Sequence, residues 1–460
     1  MNKTPFIDLL DNKWSFIYII FTGILFRIAT IFFLRDSPFL GDDLSYHIVA
    51  LQYLKGVFEV PYWPPGMSFY LFFFYSIFGA SLIIARISMI LMYIVFACSL
   101  YFIMKQIITR KTANVYLIIF TYFPSFIYFT IAPMTQGIII PLIIMIFFLL
   151  QKINKESKLV TFILLGLVLS LLVLIRPSNL LLCIAIPLHI LYKTRNIRNY
   201  LIMLAASLLL IISWISFVHM KTGKLVFINA ANSRNFFYGN NEFTPLYRTW
   251  PFGEISPNNK RIPAGYLEMV TKILSMPLDE QEKFFFNYTL NNIKTRPDLF
   301  VIRTTSRIRS FFAFNSYTGS TILKKMRYTA LNRSIAYISV ILDFFFHIFI
   351  ILTSLVLILL DENKARNSLK SIILIISMYA IPYWISFSSG LYCIPVMPLI
   401  GILSAISLDS LSSMDGSISS LYKKASGKRR LVFILTVLFF LYIQAEYAIS
   451  QIIFLKDKFF

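Results

Sequence analysis

Two adjacent carboxylates follow the first strongly apolar segment of the chain, in the run Gly41-Asp42-Asp43-Leu44-Ser45-Tyr46. Carboxylates just outside a membrane helix are costly to dehydrate and idle as packing. One of them could take a proton from an attacking hydroxyl, so the pair points to chemistry at a membrane surface. Cations that could answer a developing negative charge are also sparse. Arg86 and Arg176 stand near the ends of apolar segments, where the plainer reading is snorkelling to the interface. Arg303 and Arg307 are four residues apart on one face of the amphipathic stretch Leu299–Phe314. The apolar remainder of that stretch should lie on the bilayer and hold both guanidiniums at phosphate depth, whether for lipid headgroups in general or for one specific lipid phosphate. Asn240 and Asn241 close the polar run Asn232–Asn241, which suits a hydroxyl-rich ligand; composition alone favours a tight turn.

The elements that must position these groups are membrane helices. Of 460 residues, 58% are hydrophobic and 14% charged, and apolar stretches long enough to cross a bilayer recur along the chain. The expected fold is an all-α polytopic membrane protein. About eleven spans are read, over 14–34, 82–104, 114–132, 137–150, 159–175, 179–192, 200–218, 335–360, 371–387, 392–408 and 431–449. Met67–Phe78 is apolar but short, and is read as a helix in the interface. With that placement the basic loops around Lys105, Lys152, Lys193, Lys364 and Lys423 share one side, which the positive-inside rule makes cytoplasmic. The N-terminus, Thr109 and Ser157 are then inside, and Asp42-Asp43 and Ser256 outside. The first span is read as a retained helix rather than a signal peptide, because it is long and Arg27 interrupts it.

Three parts follow: an N-terminal membrane module (1–218) whose first external loop (35–66) carries the carboxylates, an external region (219–333), and C-terminal membrane helices (334–460). The net charge of +22 is largely the cytoplasmic loops, not a nucleic-acid surface. The external region holds 17 Lys and Arg against 7 Asp and Glu, suited to anionic lipid headgroups or to a phosphate ligand. Its opening residues Val226–Asn229 read as a short strand, making that region mixed in structure. Within the spans, Asp343 and His347 are four apart and can pair with each other, which favours a structural role for them. Cys98, Cys183 and Cys393 offer no disulfide framework, and four histidines leave little material for a metal cluster. No nucleotide-binding, hydrolase or zinc-protease motif occurs, and no internal repeat of the transporter kind is visible.

In this order, the motifs resemble the GT-C superfamily of membrane glycosyltransferases, in the branch of protein O-mannosyltransferases and lipid A aminoarabinose transferases. The similar elements are Arg27, Asp42-Asp43 with Tyr46, Gly56, Pro64-Pro65-Gly66, Phe78-Gly79, Ala85-Arg86, Pro133–Gln136, Tyr238–Asn241, and Tyr392 with Pro395 and Pro398. Three positions depart from the family pattern. Gln136 stands for a usual acidic residue, Tyr62-Trp63 for a charged pair found before Pro-Pro in some relatives, and Leu391 for an Arg before Tyr392. The resemblance implies an inverting glycosyltransferase. It would move a sugar from a polyprenyl-phosphate-linked donor to an acceptor glycan, lipid or protein on the external face of the plasma membrane. Asp42 would be the base, with Asp43, Tyr46, Arg86, Arg176, Asn240, Asn241, Arg303, Arg307 and Tyr392 binding substrate. The residues alone leave open which carboxylate of the pair is the base. No cofactor is expected, and a divalent cation finds no support in the sequence. Two other readings remain: a transporter or flippase for a lipid-linked or anionic substrate, and a polysaccharide polymerase or ligase.

Overall fold

The computed structural model describes residues 10–154, 156–230, 233–246, 263–314, 317–325, 329–360, 366–413 and 417–459. Ser256, Lys155 and Lys364 fall outside this set. The chain is an all-α membrane protein; every regular element among the described residues is helical.

In chain order the helices are α1 (Ser15–Phe33), α2 (Asp42–Leu54), α3 (Pro65–Phe78), α4 (Leu82–Ile107), α5 (Arg110–Tyr122), α6 (Pro124–Phe129), α7 (Thr135–Lys152), α8 (Leu159–Ile175), α9 (Leu180–Thr194) and α10 (Ile197–Thr222). The region after α10 holds α11 (Arg234–Asn240), α12 (Ala264–Leu274), α13 (Leu278–Thr295), α14 (Pro297–Phe312) and α15 (Tyr317–Lys325). The last part holds α16 (Ala330–Leu355), α17 (Arg366–Ile385), α18 (Met397–Ser413), α19 (Ile418–Lys424) and α20 (Gly427–Phe459). Among the described residues, eight helical segments are long and apolar enough to cross a membrane. The other three expected spans are helical but shorter: α8 has 17 residues, α9 has 15, and the third is split into α5 and α6. Pro124 causes that split, because it removes a backbone donor and holds Phe123 extended.

The bundle is layered by burial. In α7, 72% of the apolar window is inside the protein, and in the segment Gly390–Ser412 it is 89%; in α1 and α20 the shares are 28% and 11%. The first two segments therefore form the centre, and the last two present their Leu, Ile and Phe faces outward, as lipid-facing helices do. α8 runs along α10, α7 packs on α4, and α16 packs on α18.

The expected strand at Val226–Asn229 does not form. Ile228 takes a left-handed φ of 63°, and the Asn229 amide turns back to the Phe227 carbonyl at 2.8 Å, so no ladder can run through it. The segment instead fastens onto the first loop, through Ala230 N–H to the Pro61 carbonyl at 2.8 Å and Asn229 Nδ2 to the Tyr62 carbonyl at 3.0 Å. Asp343 and His347, which could have paired with each other, each bond elsewhere in the protein. Asp343 accepts from the Ser125 amide and hydroxyl, both at 2.9 Å, while His347 Nε2 lies 3.0 Å from the Phe312 carbonyl.

Candidate active site

The site begins with the turn Pro64-Pro65-Gly66. Pro65 occupies the first turn of α3, where a missing N–H costs nothing. Gly66 then meets the turn that ends α8: a Cβ added there would sit 2.6 Å from Ile175 Cγ1 and 2.9 Å from the Ile175 backbone. Only glycine permits this approach. The next residue, Arg176, is extended because Pro177 follows it, and Asn179 Nδ2 holds its carbonyl at 3.0 Å. The first loop and Arg176 are thereby locked side by side.

Across from Arg176 stands α2, with Asp42 and Asp43 in its first turn, where carboxylates favour the helix dipole. The two carboxylates have different surroundings. Asp43 is 2% exposed, and its Oδ1 accepts from the Leu40 amide at 2.8 Å and the Leu44 amide at 3.0 Å. It fixes the turn entering α2 and shares a recess with Arg86 and Tyr128. Asp42 is half-buried and faces Arg176. Burial pushes its carboxyl above the ordinary carboxylate range, Arg176 pulls it back, and Asp43 pushes it up again. The net direction is upward, as suits a carboxylate that must bind a proton.

Aromatic side chains build the rest of the cleft. Arg176 lies over the rings of Tyr392 and Tyr383, at 5.1 and 5.9 Å, and donates to the Tyr383 hydroxyl at 3.3 Å. Those two rings stack on each other at 4.5 Å, and Ser178 also donates to Tyr383. Tyr46 is buried against Trp63, with ring centroids 5.8 Å apart, and lies within electrostatic reach of Asp42, Arg176 and Tyr392. Burial and the neighbouring Asp42 hold its phenol protonated, so it remains a donor. Tyr317 reaches the same space, between Phe129 and the two carboxylates.

Of the residues singled out in the sequence, Asp42, Tyr46, Arg176 and Tyr392 thus lie within electrostatic reach of one another. The others have acceptors or donors elsewhere in the protein. Arg86 donates to the carbonyls of Leu34 at 2.8 Å and Ser37 at 2.5 Å, clamping the chain between α1 and α2. α14 does not turn its arginines toward lipid. Arg303 donates to the Thr244 carbonyl, and Arg307, 2% exposed, to the carbonyls of Gly239 at 3.0 Å and Ser386 at 2.6 Å and to Asn240 Oδ1 at 3.0 Å. The expected turn at Asn240-Asn241 is the end of α11. Asn240 Nδ2 donates to the Ile385 carbonyl at 2.9 Å, and Asn241 Nδ2 to the Phe237 carbonyl at 3.0 Å. Gly239 makes this possible, since a Cβ there would fall 1.5 Å from the Ser386 carbonyl oxygen. Sequence reasoning missed Tyr383 and Tyr317. Tyr383 could have been suspected as the partner of Tyr379 on one face of an apolar helix; Tyr317 carries no signal of its own. Among the described residues no group of three or more His, Cys, Asp or Glu side chains gathers as a metal site would.

A family comparison bears on this geometry. Residues 63–218 match the family described as dolichyl-phosphate-mannose-protein mannosyltransferase. The chain is similar to GT-C membrane glycosyltransferases. The matched segment contains Pro64-Pro65-Gly66, Arg86 and Arg176, and begins after Asp42. Among solved structures, ArnT from Cupriavidus metallidurans bound to undecaprenyl phosphate aligns over 86% of this chain and 78% of that one, at 11% identity and a TM-score of 0.42. No curated protein matches the chain in sequence.

Proposed function

We propose that this protein is an inverting glycosyltransferase that takes a sugar from a polyprenyl-phosphate-linked donor. The observation that carries the reading is the single cleft in which the Asp42 carboxylate faces the Arg176 guanidinium among Tyr46, Tyr383 and Tyr392. Sugar transfer from a lipid phosphate needs both groups. Asp42 takes the proton of the acceptor hydroxyl as its oxygen bonds to the sugar C1. The C1–O bond to phosphate breaks on the opposite side, and its electron pair stays on the phosphate. Arg176 faces that growing charge and suits phosphate by its planar fork of donors. The protonated Tyr46 phenol orients the reacting hydroxyls, and the Tyr383–Tyr392 stack holds the guanidinium flat.

Arg303, Arg307, Asn240, Asn241 and Arg86 serve this site by assembling its walls, since each donates to a carbonyl of the protein. The acceptor class is a hydroxyl-bearing glycan, lipid or protein, reached from the external face of the plasma membrane. Purified protein offered a panel of polyprenyl-phosphate sugars should release polyprenyl phosphate and form a glycosidic bond with inverted configuration. Movement of a lipid-linked substrate across liposomes, with no such bond formed, would establish the transporter reading instead. For orientation, single cysteines at Ser275 and Lys158, in a background without Cys98, Cys183 and Cys393, should be labelled from outside only at Ser275. External labelling at Lys158 would place the cleft on the cytoplasmic face.

A further inference from the structure

Asp343 belongs to α16, whose apolar window is only 28% buried, yet its own side chain is 1% exposed. A carboxylate at such depth is expensive unless its bonds are made, and its presence there asks for a purpose. Both of its oxygens engage Ser125: Oδ1 accepts from the amide and Oδ2 from the hydroxyl, each at 2.9 Å. Ser125 follows Pro124, which has no N–H, so its amide is the first donor of α6. A hydroxyl has one proton to give. With that proton on Asp343, the Ser125 oxygen is left to accept from the Thr318 hydroxyl at 3.3 Å. One side chain of α16 thereby ties α6 to the first turn of α15.

That tie bears on the residue beside Thr318. The Tyr317 ring stacks on Phe129 of α6, with centroids 5.9 Å apart and planes 18° apart, and meets Tyr128 edge-on at 5.9 Å. Ser125 and Phe129 are four residues apart, so one helical turn of α6 holds Thr318 at one end and Tyr317 at the other. Gly319 brings α15 close against α16, since a Cβ there would lie 2.7 Å from the Ala336 carbonyl oxygen. The register of α6 against α15 thus decides where the Tyr317 ring lies.

Tyr317 is within electrostatic reach of Asp42 and Asp43, whereas Arg176 is faced by Tyr383, Tyr392 and Tyr379. Inversion puts the attacking hydroxyl and the leaving phosphate on opposite sides of the sugar C1. With the phosphate at Arg176, the acceptor arrives from the side of the carboxylates, where Tyr317 stands. Its hydroxyl donates to Met134 Sγ at 3.8 Å, and a thioether is a weak acceptor that an alcohol oxygen can replace.

We propose that Tyr317 binds the acceptor and that Asp343, which touches no substrate, is the residue that positions it, acting through Ser125 and Thr318. The acceptor role rests on the transfer reaction proposed above; the positioning does not.

The test uses the purified full chain, with a polyprenyl-phosphate sugar as donor and an alkyl glycoside as acceptor. Tyr317→Phe should raise the acceptor KM about tenfold and leave the donor KM unchanged, as the loss of one hydrogen bond to the acceptor does. Asp343→Asn should act through the same residue, so adding it to Tyr317→Ala should cost no more than Tyr317→Ala alone. Losses that multiply, together with a lowered melting temperature, would make Asp343 merely structural and overturn the proposal. An unchanged acceptor KM in Tyr317→Phe would overturn it too. If Asp343→Asn does not fold, Ser125→Ala takes its place, since it removes the hydroxyl link to Asp343 and Thr318 and keeps the amide bond. Positioning is also read without turnover. In a background without Cys98, Cys183 and Cys393, Tyr317→Cys should react with a water-soluble maleimide at a rate that Asp343→Asn, or Ser125→Ala, changes severalfold. An unchanged rate overturns the positioning. A changed rate in a protein that transfers no sugar would overturn the function and keep the positioning.

Discussion

Gly66 rests directly on the backbone of Ile175, and this contact sets the spacing between the Pro-Pro-Gly turn and Arg176. Its position in the Pro-Pro-Gly turn gives that turn a purpose beyond stiffness. The two prolines fix the direction in which α3 leaves, and the glycine lets α3 come within backbone distance of the end of α8.

Gly66→Ala should therefore act on the chemistry through geometry. The added methyl cannot fit without displacing Ile175, an overpacking strain of about 1–3 kcal/mol. Arg176 shifts with it, and misplacement of a reacting group by about 1 Å costs roughly 100-fold in rate. Transfer rate and melting temperature of the same preparation check this. A normal rate in a folded variant would show that the contact does not set the Asp42–Arg176 spacing.

The two carboxylates should separate by type of loss. Asp42→Asn keeps the shape and removes proton acceptance, so transfer should fall by about 10²–10⁴-fold at unchanged stability. Asp43→Asn weakens the bonds to the Leu40 and Leu44 amides, and its loss should show as about 1–3 kcal/mol of stability with a smaller effect on rate. The reverse pattern would make Asp43 the base.

The pH profile reports the same cleft. With Asp42 as the proposed base, transfer needs its ionised form, and its carboxyl stands above its ordinary value. The rate should fall as pH drops through that raised pKa, above the usual aspartate value of about 3.9. Arg176 favours the ionised form, so Arg176→Gln should move the acid limb to higher pH. Asp43 disfavours it, so Asp43→Asn should move the limb lower. Residual rates measured against pH in each variant give both signs, and an acid limb unmoved in both would remove Asp42 from the titration.

Arg307 should behave as a structural cation. Arg307→Ala strands the carbonyls of Gly239 and Ser386, at about 1.5–3 kcal/mol for each hydrogen bond to a charged group. Lysine should restore only part, because its ammonium replaces Nη1 but not the Nε and Nη2 donors that hold the Arg303 carbonyl and Asn240 Oδ1. The measurement is thermal unfolding in detergent, alongside the donor KM. An unchanged melting temperature with a raised KM would put this guanidinium on a donor phosphate.

The membrane class was legible because apolar run length is a local property; the sequence also singled out Asp42, Tyr46, Arg176 and Tyr392, which the structure brings within electrostatic reach of one another. Their burden is chemical, and few acidic or basic residues compete for attention in such a chain. What the sequence hid was direction. Arg303 and Arg307 share a helix face whichever way that face points, and only packing against Gly239 and Ser386 turns it inward. Val226–Asn229 has strand composition, yet the left-handed backbone at Ile228 comes from its fastening to Pro61 and Tyr62. Tyr383 stayed hidden because its partner, Arg176, is 207 residues away in sequence.

The buried guanidinium of Arg27 constrains the order in which this chain can be assembled. α1 shows most of its surface to lipid, but Arg27 is fully buried, donating to Thr130 Oγ1 at 2.7 Å and to the Thr121 carbonyl at 3.1 Å, with the Tyr93 ring 3.5 Å away. Those acceptors are made 94 and 103 residues after Arg27 itself. Until they emerge, an arginine on a lone helix costs about 2.5–3.5 kcal/mol in the bilayer. α1, synthesised before these acceptors, thus settles after them. Nascent chains halted before Thr121 should leave α1 cross-linkable to the insertion machinery, and chains halted well beyond Thr130 should not.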